Sequence, residues 1–119
     1  MESPEPVEDR SVTELISELA AIEPPFSSLG MPFLADTEVT RELVGRGADA
    51  VPALTAALAS PDPRIVLYAA YCLGLIGDRS VLPILRRIRE RHERRRPKLD
   101  TDFSIVGAII QAEERLASS

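Results

Sequence analysis

The segment DPRIVLYAAYCLGLIGD, residues 62–78, constrains the fold more than any other stretch of this sequence. It predicts a helix over Pro63–Ile76, ended by Gly77, that is apolar on nearly every side. A helix at the surface of a soluble protein normally keeps one polar face. Other parts of the chain, or another molecule, must therefore cover this helix.

The remaining sequence predicts five further helices. Ser11 and Glu14 have the spacing of a capping box and open the first, and Thr37 opens the second, which ends at Gly45 or Gly47. The others start near residues 49, 80 and 102, and a loop rich in proline and glycine occupies 23–33. We expect a disordered acidic tail over 1–10 and one domain over 11–117, with helix pairs at about 11–45, 49–76 and 80–117.

An internal repeat supports this pairing. AVPAL at 50–54 is echoed by SVLPIL at 80–85, and DPRIV at 62–66 by DFSIV at 102–106. Paired helices recurring every 30 to 45 residues or so are typical of an α-solenoid. The aromatic content of 4% and the absence of Trp favour closely packed helices over sheets.

The sequence of the fourth predicted helix resembles the HEAT-like repeats, including the variety found in bilin lyases and many bacterial proteins. A second helix in that family reads Asp-Pro-x-Val-Arg-x-x-Ala-Ala-x-x-Leu-Gly-x-Ile-Gly-Asp. The residues that match are Asp62, Pro63, Ala69, Ala70, Leu73, Gly74, Ile76, Gly77 and Asp78. The resemblance implies an all-α fold, a short solenoid of three antiparallel helix pairs in an armadillo-type superhelix.

The departures from the family pattern suggest a binding surface. Tyr68, Tyr71 and Leu75 are spaced i, i+3, i+7, and we call them the tyrosine stripe. The resemblance implies that second helices line the concave surface, so we expect this stripe to form a groove for a protein partner. Val66 and Leu67 are predicted to lie in the core.

Two other covers for the stripe stay open. Exposing three such side chains forfeits roughly 5 to 8 kcal/mol, so the stripe must be covered. Self-association is one alternative. The chain's own N-terminal residues are the other, and those available are Leu15, Ile16, Leu19, Phe26, Met31, Phe33 and Leu34.

Residues 86–98 form a basic run with eight basic and two acidic side chains, so the segment carries +6 and the rest of the chain −11. We predict that it supplies a basic rim that steers an acidic partner, formed by Arg87, Arg91, Arg94 and Arg95. Binding of a nucleic acid or another polyanion is the alternative, although no aromatic residues interleave with the arginines. A solvated helix end with i, i+4 ion pairs, such as Arg89 with Glu93, is the third interpretation.

Catalysis and cofactor binding are not predicted. Cys72 is the one cysteine, which excludes internal disulfides, and its apolar neighbours predict a buried thiol. His92 and Glu93 are similar to the His-Glu motifs of HEAT-like iron hydroxylases, but those enzymes need several motifs and this chain has a single histidine. We expect neither a metal site nor an enzyme, and a bilin-lyase-like activity is the less favoured alternative.

The sequence thus predicts a non-catalytic interaction module, such as an adaptor, an assembly subunit or an inhibitor or immunity protein. Its partner would present an apolar segment flanked by acidic residues. No apolar run reaches the roughly 18 residues of a membrane span, and the acidic N-terminus does not resemble a secretory signal. We therefore expect a cytoplasmic protein, and the resemblance to HEAT-like repeats of bacterial proteins implies a bacterial one.

Overall fold

A computed structural model describes residues 11–21, 37–95 and 100–118. Over these residues the regular structure is helical, and the α-helices are α1 (Val12–Leu19), α2 (Glu38–Arg46), α3 (Val51–Ala57), α4 (Pro63–Ile76), α5 (Leu82–Arg94) and α6 (Asp100–Ala117). Short 3-10 turns over Gly47–Ala50 and Arg79–Val81 lead into α3 and α5. The predicted tail at 1–10 and loop at 23–33 lie outside the described residues.

Two of the predicted helix starts are confirmed in atomic detail. The hydroxyl of Ser11 accepts a hydrogen bond from the Glu14 N–H at 3.1 Å, and the Glu14 carboxylate accepts one from the Ser11 N–H at 2.8 Å. This reciprocal pair is the capping box that the spacing predicts. Asp62 caps α4 by accepting a hydrogen bond from the Arg64 N–H at 3.0 Å.

Helix ends also follow the sequence. Gly47 ends α2 with φ 58° and Gly77 ends α4 with φ 89°, a backbone region that residues with a Cβ rarely adopt. The bounds of α4 are those predicted. The α-helical parts of α3 and α5 begin two residues later than expected, since 3-10 turns precede them, and α6 begins two residues earlier.

The helices form three pairs, α1 with α2, α3 with α4, and α5 with α6. The second helices α2, α4 and α6 form a row in which each packs on the next. The protein is therefore a short α-solenoid, as predicted.

α4 lies at the centre of this array. It packs against α1, α2, α3 and α6, and its side chains belong to one core that extends from Leu15 in α1 to Leu116 in α6. Val66 and Leu67 are buried in that core, as predicted. Four helices thus remove most of the apolar surface of α4 from water, which explains why nearly every side of this helix is apolar.

A glycine sets the contact between α4 and α6. A Cβ added to Gly74 would lie 2.9 Å from the Cα of Ala112 and 3.1 Å from its Cβ. Such distances are shorter than carbon atoms tolerate, so a side chain at this position would push the two helices apart. The small residue is what allows their close approach.

Gly74→Ala is expected to lower the free energy of unfolding by about 1–2 kcal/mol, because the methyl group meets the backbone of α6. The matched control is Gly45→Ala in α2, where an added Cβ has no atom within 4 Å. This control should raise stability by about 0.5–1 kcal/mol through helix propensity. Denaturant unfolding followed by circular dichroism measures both, and equal stability of the two variants would contradict the close contact.

Cys72 lies in the core, as predicted, and burial raises the pKa of its thiol to about 12. At pH 8 only about one molecule in ten thousand would then carry the reactive thiolate. We expect a chromogenic disulfide reagent to label the native protein far more slowly than the denaturant-unfolded protein. Equal labelling rates in the two states would show that the thiol is accessible.

Candidate functional site

The structure corrects the prediction for the tyrosine stripe. Tyr68 has 0% of its surface exposed and is therefore a core residue, so the expectation that it lies uncovered is wrong. Tyr71 is half-buried, whereas Leu75 is 39% exposed. Only the second half of the stripe remains accessible to a partner.

The chain's own N-terminal helix reaches the start of the stripe. The guanidinium of Arg64, one turn before Tyr68, donates a hydrogen bond at 2.8 Å to the carbonyl of Ala20, just after α1. α1 packs on α4, and the ring of Tyr71 meets that of Tyr68 edge-on with the ring centroids 6.2 Å apart. The N-terminal helix, part of one of the alternatives left open, therefore packs on this end of α4. The other proposed covering residues, Phe26, Met31, Phe33 and Leu34, lie outside the described residues.

The predicted rim arginines come together in a groove of about 590 Å³. Its lining residues, which we call the basic groove, are Arg87, Arg91, His92, Arg94 and Arg95. Among the described residues, all that line the groove belong to α5 or are the residue after it, and none belongs to the tyrosine stripe. The structure thus assembles the four arginines predicted from sequence but does not join them with the tyrosines.

A buried carboxylate of α6 supports the basic groove. Asp102 is 2% exposed, and its Oδ1 lies 2.7 Å from Nδ1 of His92. Its Oδ2 lies 3.7 Å from Nε of Arg95. Asp102 of the following helix is therefore hydrogen-bonded to His92, and Arg95 lies within ion-pair distance of the same carboxylate.

The neighbouring Arg89 has a different role. It donates a hydrogen bond to Glu113 of α6 at 2.9 Å and forms the predicted i, i+4 pair with Glu93 at 3.3 Å. Burial alone would lower the pKa of Arg89, but hydrogen bonds and charges of the two glutamates raise it. Arg89 thus links α5 to α6 through its ion pair with Glu113. It is not among the residues that line the groove.

The groove chemistry suits an anion. Guanidinium groups donate two parallel hydrogen bonds to carboxylates and phosphates. His92 contacts Asp102 while Glu93 contacts Arg89, so this adjacent pair does not converge on one point. In the described part of the chain, no three His, Cys, Asp or Glu side chains are placed to share a metal ion.

Sequence reasoning missed three relevant residues. The sequence marks Asp102 only as a helix start, and its contact with His92 depends on how α6 packs against α5. Phe103 and Ile110 on α6 are 54% and 39% exposed. Their i, i+7 spacing, opposite the buried Ile105 and Ile109, was the signal that could have identified this outward apolar surface.

Comparison with known proteins gives one match. A family model for HEAT repeats matches residues 36–98, from just before α2 to just after α5. Neither the curated proteins nor the solved structures contain a match. Within 11–21, 37–95 and 100–118, none of the helices has the length and hydrophobicity to cross a bilayer.

Members of this family are generally non-enzymatic scaffolds, and HEAT repeats commonly mediate protein–protein interactions. The bilin-lyase subtype stays a prediction. The match covers more than half of the sequence and includes the central helix α4. Together with the three packed helix pairs, it shows that this chain belongs to the HEAT repeat family.

Proposed function

We propose that this protein is a non-catalytic interaction module that binds an acidic segment of a protein partner in the basic groove. The observation that carries the proposal is the convergence of four arginines and His92 in one concave site. Arg87, Arg91 and Arg94 follow one side of α5 at i, i+4 and i+7, over about 10 Å of helix. Carboxylates of a partner segment would pair with these guanidinium groups in register.

Three features favour a protein partner over a nucleic acid. Every lining residue in the described part of the chain is an arginine or a histidine, so these residues offer no aromatic ring on which bases stack. The net charge of −5 opposes the long-range attraction that draws proteins to nucleic acids. Arg87, Arg91 and Arg94 also span only about 10 Å of helix, which is short compared with the several phosphates that a nucleic acid strand presents to its binding proteins.

Tyr71 and Leu75 form a second, separate part of the proposal. Leu75 is exposed and Tyr71 is half-buried, so an apolar segment of the partner has accessible side chains to contact. Tyr68 is not part of this surface, because its side chain is fully buried. No residue of the tyrosine stripe lines the basic groove, and we therefore assign the acidic and apolar contacts to two surfaces.

The finer role that we propose is that of an adaptor, an assembly subunit or an inhibitor or immunity protein in a bacterial cytoplasm. Each of these roles requires only that the protein covers or connects other proteins. HEAT repeats commonly mediate protein–protein interactions, and this supports the proposed class of function.

Selection of peptides from a displayed random library tests the groove. We expect the wild-type protein to enrich peptides rich in Asp and Glu. The double variant Arg87→Glu, Arg91→Glu should bind a selected peptide at least about tenfold more weakly, because each change replaces attraction with repulsion. Fluorescence anisotropy with the labelled peptide measures the affinity.

The matched control is the double variant Arg79→Glu, Arg86→Glu, which changes the net charge equally. Both of its sites are exposed and lie outside the groove, so its affinity should fall less than about threefold. Equal losses in the two variants would reduce the effect to overall charge and contradict a local site. Tighter binding of double-stranded DNA than of the selected peptide would favour the nucleic-acid alternative.

A further inference from the structure

The outward side of α6 carries apolar side chains that are exposed to solvent. Phe103 is 54% exposed and Ile110 is 39% exposed, and the two lie seven residues apart on one side of the helix. Gly107 lies between them on that side, and Glu114 continues it toward the C-terminus. We call these four residues the outer α6 face. The last repeat of a solenoid normally has a polar outer side, so this apolar one needs an explanation.

The internal repeat shows what this face corresponds to. DPRIV at 62–66 and DFSIV at 102–106 lie 40 residues apart. Shifted back by this interval, the outer α6 face falls on α4 residues that share one side of their helix, namely Pro63, Leu67, Ala70 and Gly74. At Gly74, α4 meets the backbone of α6. The outer α6 face is therefore equivalent to the side of α4 on which the next second helix stacks, and it is positioned to receive a further helix.

The distribution of exposed apolar side chains indicates which helix that is. Of the side chains whose positions the structure describes, the large hydrophobic ones that are exposed are Leu75, Phe103 and Ile110. None of them belongs to α1 or α2, at the opposite end of the array, where α1 exposes polar residues such as Thr13 and Ser17. A head-to-tail contact would bury the apolar face against a polar surface, whereas a second outer α6 face matches it.

We propose that the outer α6 face is a dimerisation surface and that its occupant is the same face of a second copy of this chain. The two α6 helices run antiparallel across a two-fold axis near Gly107, so Phe103 of each copy packs on Ile110 of the other. At the crossing point, the lack of a side chain on Gly107 allows the helices to approach closely. The face shares no residue with those that line the basic groove, so this inference does not rest on the proposed function.

The size of the face sets the expected strength of the dimer. α6 has 18 residues and is about 27 Å long, and the outer α6 face covers about three of its turns. Stable protein interfaces bury about 1,200–2,000 Å² in total, more than a contact of three turns on each copy provides. We therefore expect a reversible dimer with a dissociation constant of about 10–100 µM.

Sedimentation equilibrium of the full chain, at about 5 to 500 µM, tests the oligomeric state. We expect the average mass to rise with concentration from the 13.0 kDa of one chain toward twice that value, and not beyond it. A mass that stays at one chain throughout would overturn the proposal. A mass that grows past two copies would overturn the two-fold arrangement, because head-to-tail stacking leaves an open end for further copies.

A pair of matched variants tests the location of the contact. Ile110→Asp should raise the dissociation constant at least about tenfold, because it places a charge in the apolar interface. The control is Leu75→Asp on α4, since Leu75 and Ile110 are both 39% exposed, and its dimer should weaken less than about twofold. If Ile110→Asp loses the native circular dichroism spectrum, Ile110→Gln replaces it, with an expected weakening of about threefold. Equal weakening at the two positions would overturn the assignment to α6.

Mixtures of cysteine variants test the antiparallel register. Phe103→Cys mixed with Ile110→Cys should form an intermolecular disulfide, with oxidised glutathione, about fivefold faster than either variant alone. Cys72 does not compete, because it is buried and the pKa of its thiol is about 12. The control mixture is Thr13→Cys with Ser17→Cys, two exposed sites on α1, which should react no faster than each alone. Reaction of Phe103→Cys alone at the rate of the mixture would overturn the antiparallel register.

Discussion

The burial of α4 between four other helices is the interaction on which the rest of the structure depends. Each helix pair alone would leave an apolar surface in water, and α4 supplies the surface that the others share. Burial of a single large aliphatic side chain contributes about 1.5 to 3 kcal/mol, so a central helix that packs against four others contributes much of the stability of a small domain. Because α1, α2, α3 and α6 all contact it, loss of one neighbour weakens the rest. The surfaces proposed for binding lie on α4, α5 and α6, positioned by this core.

Local signals in the sequence predicted α4 to the residue. Asp62 provides the cap, Pro63 fits the first turn and Gly77 adopts the backbone conformation that ends the helix. These local signals could not predict that Tyr68 is buried. This burial accompanies the docking of α1, whose end contacts Arg64 over a separation of 44 residues. Helical spacing showed that Tyr68, Tyr71 and Leu75 share one side, but not how far along that side a neighbouring helix would reach.

The same limit applies to the basic groove. Helical spacing placed Arg87, Arg91 and Arg94 on one side of a single helix, which requires no tertiary information. The contact from Asp102 depends on how α6 packs against α5, and no periodicity in the sequence encodes that packing. The sequence predicted one site for the arginines and the tyrosines, because helical spacing does not show the directions in which α4 and α5 present these side chains. The structure brings the four arginines together with His92, places Asp102 beside His92 and puts the tyrosines on another helix. That these arginines bind a partner stays a prediction.

The glycine at position 74 has a consequence for the shape of the whole array. In the row of second helices, α4 and α6 pack along much of their length, whereas in the row of first helices α3 and α5 scarcely meet in the part of the chain that the structure describes. When the second helices of a solenoid pack more closely than the first helices, the stack of pairs curves toward the row of second helices. The absence of one methyl group therefore helps to fix the curvature, and so the radius of any object that can rest against the inner surface.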